Sequence, residues 1–262
     1  LMAYGAILSL GYAMSHETTH GTAFRTRWLN ETVFWFTSLI YGHEPYHRRF
    51  SHASHHTHTE IRGVDAQKPW NHPMTLWDYV KKISGIGEII GFPRILIPHA
   101  FGFIPERVKQ YTPQSEQHNL IFGARVFLAL HAAFIAVFAL SGLWWAPFVY
   151  FYIPRLIGGP LVNNVFDMTQ HAEMKEDVLD MRENTRSVAT TRWTNFIYSN
   201  MSYHCEHHMY PLVPFHALPA LNEKIRDQLP QPSPGFYYTN LKILRAIFAR
   251  MRASSIRDER AV

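Results

Sequence analysis

Three clusters of histidine carry the clearest chemical signal in this sequence. They consist of His16 and His20, then His52, His55 and His56, then His204, His207 and His208. Neutral imidazole binds iron, copper, nickel and zinc well, and residues three or four positions apart share one face of a helix. Each cluster can therefore direct two or three ring nitrogens toward one point. Eight such ligands exceed the four that a zinc ion usually takes, so the spacing predicts two metal ions.

The distribution of charge predicts where these clusters lie. Apolar residues make up 47% of the chain, and residues 1–15 carry no charged side chain. Between Val126 and Phe166 the only charged side chain is Arg155. The stretch 121–165 can therefore hold two membrane-spanning helices of about 20 residues each, turned at Ser141 and Gly142. We expect Arg155 to face the protein interior or to reach the membrane surface.

The flanking segments predict the orientation of this hairpin. Segments 21–120 and 167–262 contain eleven and twelve Lys and Arg residues, whereas the turn between the two spans contains none. The positive-inside rule places both flanks, and all three clusters, on the cytoplasmic side. We interpret residues 1–15 as the end of a spanning helix whose beginning is missing. The predicted fold is an all-α integral membrane helical bundle, a single domain over 1–262, with a cytoplasmic helical cap that carries the metal site.

Four segments outside these spans also have predicted conformations, based on their apolar patterning and their prolines. They are an interfacial amphipathic helix over 32–41 that ends at Pro45, a polar loop over 60–83, a re-entrant or interfacial segment over 85–103, and a basic amphipathic helix over 240–252.

The first cluster, taken alone, permits another interpretation. His16, Glu17 and His20 match the HExxH motif of zinc proteases, in which the histidines bind zinc and the glutamate is the general base. An intramembrane zinc protease would need one further ligand, but not two more clusters. A non-enzymatic membrane protein that binds or transports metal is a second alternative. Metal analysis separates the three hypotheses, which predict two irons per chain, one zinc, or labile mixed metal.

The clusters and the hairpin together resemble the membrane-bound fatty acid desaturase and hydroxylase superfamily. The residues around the first two clusters, including Gly21, Phe24, Leu29-Asn30 and Pro45-Tyr46, are similar to those of methyl-end acyl desaturases. The continuation of the third cluster, His207-His208-Met-Tyr-Pro211, is also similar. The resemblance extends from residue 1 to about residue 225, well beyond the histidines themselves.

This resemblance implies two iron ions held almost wholly by histidine, with one ligand outside the clusters and ahead of the third. His171 matches that position best. The implied ligands are then His16, His20, His52, His55, His56, His171, His204, His207 and His208. Related acyl-CoA desaturases place an amide four residues before the outlying ligand, where this sequence has Asp167. The tenth position of the metal site therefore stays open.

Several other polar residues have predicted roles. Those expected to orient the ligands by hydrogen bonding are Asp167, Glu17, Glu206, His47 and His58. Asp65 and Asp78 are expected to be solvated. His131, inside a predicted span, is expected to bond to a neighbouring helix.

The implied reaction is the O2-dependent oxidation of an aliphatic chain. Removing hydrogen from a C–H bond calls for a redox-active metal, and zinc has no redox chemistry. The expected substrate is a long acyl or alkyl chain from the bilayer. Desaturation is the leading reaction, and hydroxylation of an alkyl chain or terpenoid within the same superfamily is the alternative.

The sequence contains no cytochrome, flavin or nicotinamide motif, so the electrons must come from another protein. A ferredoxin, rubredoxin or cytochrome b5, served by its own reductase, is expected, and the basic cytoplasmic face could steer an acidic carrier. Membrane lipid is a further expected partner, and nucleic acid is not.

Overall fold

The computed structural model describes residues 1–68 and 70–259, and within them the chain is mainly helical. The first seven helices are α1 (Met2–Ser9), α2 (Gly11–Thr19), α3 (Arg27–Tyr41), α4 (Pro45–Thr57), α5 (Leu76–Ser84), α6 (Ile86–Ala100) and α7 (Glu106–Lys109). The others are α8 (Gln117–Leu140), α9 (Ile153–Gly159), α10 (Val165–His171), α11 (Met181–Asn184), α12 (Arg192–Ile197), α13 (His204–Met209), α14 (Leu218–Ile225) and α15 (Phe236–Glu259).

Strand structure among the described residues is confined to one short parallel pair. β1 (Val188–Ala189) pairs with β2 (Ser233–Pro234), with Val188 opposite Ser233. This pair ties the segment before α13 to the start of α15. The prediction of a mainly helical chain is therefore confirmed, and the single-domain prediction for 1–262 stays a prediction.

The N-terminal apolar stretch forms two helices rather than one. A tight turn at Leu10, whose backbone N–H bonds to the Ile7 carbonyl at 3.1 Å, separates α1 from α2. Helix α1 packs on α9 through two glycines, because a Cβ atom on Gly5 or Gly158 would collide with the backbone of the other helix. Such close approach needs residues without side chains. Helix α2 then carries the first histidine cluster at its C-terminal end.

The helix predicted over 32–41 begins five residues earlier than predicted, and Pro45 is not the residue that ends it. Helix α3 starts at Arg27, and it ends at Gly42, which adopts a left-handed conformation with φ of 92°. Pro45 does not end α3, as the sequence analysis expected. It is the first residue of α4, where its missing N–H costs no hydrogen bond and its fixed φ suits the helix.

Two predictions for the segment before the hairpin are wrong in part. The polar loop predicted over 60–83 contains α5, which begins with a capping box between Thr75 and Asp78. The segment 85–103 contains a 15-residue helix, α6, although Pro93 and Pro98 lie inside it. Helix α6 packs against α8 through Leu96 and Phe127. Its position relative to a membrane stays a prediction.

The predicted hairpin is present, with two unequal arms. Helix α8 belongs to the one segment, Gln114–Leu140, that among the described residues is long and apolar enough to cross a membrane. The chain turns at Ser141 and Gly142, as expected. The second arm runs in helical turns over 146–171 and includes two π-helical turns, Phe148–Tyr152 and Pro160–Asn164. Wider π turns of this kind often occur near functional sites.

Two polar residues of the hairpin point into the protein. The Nδ1 atom of His131 lies 2.8 Å from the hydroxyl of Tyr152, which confirms its expected bond to a neighbouring helix. Arg155 donates to the backbone carbonyl of Tyr41, so it faces the interior rather than the membrane surface.

The C-terminal helix is longer than predicted and is packed along one face. The predicted amphipathic segment 240–252 lies within α15, where Ile243 and Ile247 are buried with Met168 of α10. The side-chain amide of Asn240 donates to the Val165 carbonyl at 2.8 Å. Helix α15 thus stabilises α10, which ends at His171.

Candidate metal centre

The structure brings all nine predicted ligands together in the interior. His16 and His20 lie at the end of α2, the second cluster on α4, His171 at the end of α10, and the third cluster on α13. Eight of these side chains are buried, and His20 is partly exposed. Their ring nitrogens form two neighbouring groups.

The first group contains five histidines from three helices. His16, His20, His52, His56 and His207 each offer a nitrogen, and these atoms all lie within 4.8 Å of one another. Within the group, His52 Nε2 is 3.1 Å from both His20 Nε2 and His56 Nε2. Nε2 of His16 and both nitrogens of His207 are buried without a hydrogen-bond partner among the described residues.

The second group contains His55, His171 and His208, whose nitrogens also lie within 4.8 Å of one another. His204 adjoins it, because its Nε2 lies 3.0 Å from His171 Nε2 and 3.1 Å from His208 Nε2. With His204 counted in the second group, the nine predicted ligands divide into groups of five and four. Two such groups agree with the expectation of two metal ions.

Hydrogen bonds to Nδ1 fix the tautomers in the second group. The carbonyl of Asn184, which can only accept, lies 3.1 Å from His171 Nδ1. Thr59 donates its hydroxyl proton to the His55 carbonyl at 2.7 Å, so the same oxygen accepts from His208 Nδ1 at 3.0 Å. Neutral His171 and His208 therefore carry their protons on Nδ1 and present lone pairs at Nε2.

This tautomer assignment tests whether a metal fits the residues. His204 Nε2 faces two nitrogens that both present lone pairs, at 3.0 and 3.1 Å, and it has at most one proton to donate. At least one of the two contacts then has no proton between its nitrogens, which is unfavourable unless a cation binds there. The donor set therefore fits a bound metal ion.

Two further acceptors hold rings on α4. Both carboxylate oxygens of Asp65 lie 3.0 Å from His55 Nδ1. The Gln67 amide donates to Ser51 at 3.0 Å, and its oxygen lies 3.1 Å from His52 Nδ1. Like the acceptors of His171 and His208, they leave Nε2 free to bind metal and fix the ring orientation.

Burial disfavours the charged form of several of these imidazoles. It lowers the pKa of His20 to about 3, with a smaller contribution from the nearby Arg48. It also lowers the pKa of His171 to about 3 and that of His16 well below its ordinary value. Desolvation disfavours the charged imidazolium, so the rings retain the lone pairs that a metal requires.

The five residues predicted to orient ligands differ in what they contact. Glu17 accepts from His16 Nδ1 at 3.1 Å, whereas Asp167 pairs with Lys82 at 2.8 Å and accepts from Tyr12. Apart from Glu17, none of the five is hydrogen-bonded to a ligand ring among the described residues. Glu206 accepts from Ser187 and Asn222, His47 bonds to Tyr111, and His58 forms the C-terminal cap of α4.

Several supporting residues were not identified from the sequence. Asp65 was expected to be solvated, yet only 1% of its surface is exposed and it holds His55. Asp78, also expected to be solvated, is buried in the cap of α5. Gln67, Thr59 and the Asn184 carbonyl gave no sequence signal. The position of Asp65, ten residues after His55, could have suggested that a loop returns it to the same helix.

An inner cavity of about 540 Å³ reaches the centre. Its walls include five of the nine histidines, several apolar side chains of α6 and α9, and a set of charged residues. The histidines are His16, His52, His55, His171 and His204; the apolar residues include Ile89, Phe92, Leu96 and Leu156; the charged residues include Arg48, Lys82, Arg155 and Asp167. The cavity can therefore admit a substrate to the ligands.

A second cavity, of about 370 Å³, is bordered by His20. Its other lining residues include Arg25, Arg27 and Arg49, with Glu31 as the acidic residue. We call this surface the basic cleft. It brings positive charge beside the one ligand that is partly exposed.

Comparison with known proteins agrees with this geometry. A sequence model of the fatty acid desaturase family matches residues 1–240. The chain therefore belongs to the fatty acid desaturase family. It is also 24% identical, over an alignment 273 positions long, to a Delta(8)-fatty-acid desaturase of Euglena gracilis. That alignment covers 91% of this chain, and the chain spans 64% of the length of the relative.

Proposed function

We propose that this chain is an O2-dependent di-iron oxidoreductase that desaturates an aliphatic chain, most simply a fatty acyl chain. The observation that carries the proposal is the convergence of nine imidazoles into groups of five and four. When bound there, iron would supply the redox chemistry that activates O2 and removes hydrogen from an unreactive C–H bond. Nitrogen donors in this number suit two redox metals better than one zinc.

The neighbouring residues hold the ligand rings in a fixed orientation. Asp65, Gln67, Thr59 and the Asn184 carbonyl keep Nδ1 protonated and aim Nε2 at the centre. Ligand rings that are already oriented lose little freedom when metal binds. The surrounding burial excludes water from the reacting region, which limits side reactions of a strong oxidant.

The protease alternative is disfavoured by the surroundings of Glu17. A general base must reach a water molecule beside the metal. Glu17 is fully buried and accepts from its neighbour His16 at 3.1 Å. Burial raises its pKa to about 8, so at neutral pH most of the carboxyl is already protonated and is not available to accept a proton from water. The third cluster has no role in such a mechanism.

We further propose that electrons arrive at the basic cleft. Arg25, Arg27 and Arg49 surround the approach to His20, the partly exposed ligand. An acidic ferredoxin, rubredoxin or cytochrome b5 would be steered to this surface by charge. Docking at the basic cleft would also leave the inner cavity open for substrate.

The membrane placement is part of the same proposal. Helix α8 and the second arm of the hairpin would cross the bilayer, and the histidines would lie at its cytoplasmic face. An apolar chain could then enter the inner cavity from the bilayer, past the apolar side chains of α6 and α9, without crossing water.

The test is to express the chain with a matched electron carrier and reductase, supply isotopically labelled acyl substrates, and analyse cellular lipids by mass spectrometry. Products two hydrogens lighter support desaturation. A main product carrying one oxygen atom from O2 would show a hydroxylase of the same superfamily. His207→Ala should abolish either product, whereas His118→Ala, on an exposed position of α8, should retain it. Equal products from wild type and His207→Ala would contradict the proposal.

A further inference from the structure

Tyr12 is a buried tyrosine beside the metal ligands that the proposed reaction does not use. It lies four positions before His16 on α2, about 6 Å along the helix axis, and the centres of the two rings are 6.2 Å apart. Only 8% of its surface is exposed, and it lines the inner cavity together with His16 and His52. Tyr12 is therefore close enough to the centre to exchange an electron with it.

The hydroxyl of Tyr12 has two partners that fix the direction of its proton. Arg48 Nη2 donates to the hydroxyl oxygen at 3.3 Å, and the hydroxyl donates to Asp167 Oδ1 at 3.1 Å. A guanidinium group cannot accept a hydrogen bond, so the phenolic proton must point to Asp167. The carboxylate also pairs with Lys82 at 2.8 Å, which favours its ionised form and leaves it able to take up a proton.

The neighbouring charge determines how an electron can leave this ring. The guanidinium carbon of Arg48 lies 5.1 Å from the centre of the Tyr12 ring. A positive charge at this distance disfavours a second positive charge on the ring, so loss of an electron must be accompanied by loss of the proton. A phenol that has lost an electron is a much stronger acid than a carboxylic acid, so Asp167 takes the proton even while it is paired with Lys82.

A neighbouring tyrosine of the cavity wall lacks such an acceptor. Tyr41 is also buried, and the centre of its ring is 5.0 Å from that of Tyr12. Its hydroxyl accepts from the Asn163 amide at 3.0 Å, and it is hydrogen-bonded to no carboxylate among the described residues. A proton acceptor for oxidation therefore distinguishes Tyr12 from the adjoining ring.

The proposed reaction creates a need for such an electron whenever the inner cavity is empty. Reduction of O2 to water takes four electrons, and desaturation obtains two of them from the chain and two from the electron carrier. An oxidant formed without a chain in place keeps two unused oxidising equivalents. The ligand imidazoles lie within its reach, and their oxidation would destroy the site.

We propose that Tyr12 reduces this oxidant and so protects the ligands when no chain occupies the inner cavity. The inference rests on the proposed function, because the oxidant is formed from O2 at the proposed iron centre. The Tyr12 O–H bond breaks, its proton forms a bond with an oxygen of Asp167, and its electron reduces the oxidant, which leaves a neutral tyrosine radical. The carrier supplies one electron for the remaining equivalent and one that restores the hydroxyl as Asp167 returns the proton; solvent supplies the protons of the water formed.

The first measurement is electron paramagnetic resonance of the full chain, purified with iron, reduced, and mixed with O2 without an acyl substrate. We expect an organic radical in wild type, with a signal that narrows when the protein is made with ring-deuterated tyrosine. Tyr12→Phe should abolish the signal. Tyr41→Phe, which removes the same atom from the adjoining ring, should retain it.

A further variant tests the proton acceptor. Asp167→Asn keeps the size of the side chain and an oxygen that accepts the hydrogen bond, but a neutral amide does not take up the proton. We expect the radical to be absent although Tyr12 is present. This variant also tests the proposal if Tyr12→Phe does not fold.

Protection is measured separately, by mass spectrometry of peptides after repeated exposure of the reduced protein to O2 without substrate. Peptides that contain His16 and His52 should gain oxygen faster in Tyr12→Phe than in wild type or Tyr41→Phe. Iron analysis before the exposure establishes that the variants start with the same centre.

The outcomes separate this inference from the proposed function. A radical that persists in Tyr12→Phe or Asp167→Asn, or equal oxidation of the ligand peptides in Tyr12→Phe and wild type, would overturn the protective role. If wild type holds iron and desaturates acyl chains but forms no tyrosine radical, the inference fails and the proposed function stands. Protein that binds no iron contradicts the proposed function itself, and with it the oxidant that this inference requires.

Discussion

Asp65 illustrates how individual residues orient the histidine rings of this centre by hydrogen bonding. The sequence spacing identified eight of the imidazoles, because three- and four-residue intervals bring side chains together on any helix. The ninth, His171, was expected only from the family resemblance. The spacing did not identify their acceptors, because these come from loops and from distant segments. Thr59 reaches His208 across 149 positions of sequence, and no local pattern predicts such a contact. The ligands could thus be predicted from the sequence, while the hydrogen bonds that fix their tautomers could not.

The role of Asp65 gives a direct prediction. Asp65→Asn keeps the size of the side chain but weakens the hold on His55 Nδ1, because a neutral amide accepts less strongly than a carboxylate. We expect iron affinity or activity to fall about 10- to 100-fold, the range typical for such supporting residues. Iron titration of the purified variant measures the effect.

Asp78→Asn is the matched control for this experiment. Asp78 is similarly buried but belongs to the cap of α5, so its substitution should lower stability without changing iron affinity. Equal iron affinity in Asp65→Asn and wild type would contradict the role assigned to Asp65.

At the scale of elements, the long apolar patterns were predicted more reliably than the helix ends. The turn at Ser141 and Gly142 and the arm α8 agree with the sequence analysis because twenty apolar residues leave little choice of structure. Helix ends depend on single residues and on tertiary packing. Pro45 was taken to end a helix but begins one, and α6 continues past two prolines because it is packed against α8.

The contact between α1 and α9 depends on glycine. In Gly158→Ala the new methyl group would meet the backbone of α1 near Met2 and Ala6. Forcing extra volume into such a contact costs about 1–3 kcal/mol, and we expect a lower midpoint of thermal unfolding. Gly87→Ala on α6, where the added carbon meets open space, should be neutral or stabilising by up to about 1 kcal/mol. A Gly158→Ala protein as stable as wild type would contradict this packing.

The start of α4 should make stability depend on pH through Glu44. Burial raises the pKa of this carboxyl from 4.5 to about 7, so the folded state holds a proton that the unfolded chain releases. The contribution is complete below pH 4.5 and is lost as the pH rises through 7. Glu44→Gln, which has no such proton, should show a smaller decrease in unfolding midpoint between pH 5 and 8 than wild type.

A matched substitution separates this effect from the removal of any carboxylate. Glu106→Gln, at an exposed position on α7, should retain the pH dependence of wild type. An identical pH profile in Glu44→Gln and wild type would show that Glu44 does not bind the extra proton.

At the scale of the whole molecule, the outward-facing surface of the hairpin agrees with a lipid environment. Leu140, Val137 and Phe122 of α8 expose 90%, 62% and 56% of their surfaces. Large apolar side chains exposed in this density are unusual for a soluble surface. The sequence predicted this from the absence of charge alone, whereas the burial of the histidine-bearing helices depends on contacts between distant segments, such as those of α10 with α15.

The proposed orientation predicts the result of cysteine labelling in intact cells. The chain has one native cysteine, Cys205, of which 1% is exposed, so Cys205→Ser gives a background without thiols. A cysteine replacing Ser141 should react with a membrane-impermeant reagent from outside the cell. One replacing Arg182 should react only after the membrane is permeabilised. The opposite pattern would place the centre on the other side of the membrane.

The central claim is that nine histidines hold two irons in one chain, and metal analysis of active, purified protein tests it most directly. We expect about two irons per chain, with spectroscopic evidence that the two ions are magnetically coupled. His56→Ala and His208→Ala, one from each group, should each reduce the iron content, whereas His118→Ala should leave it at two. Active protein that contains one zinc and no iron would contradict the account.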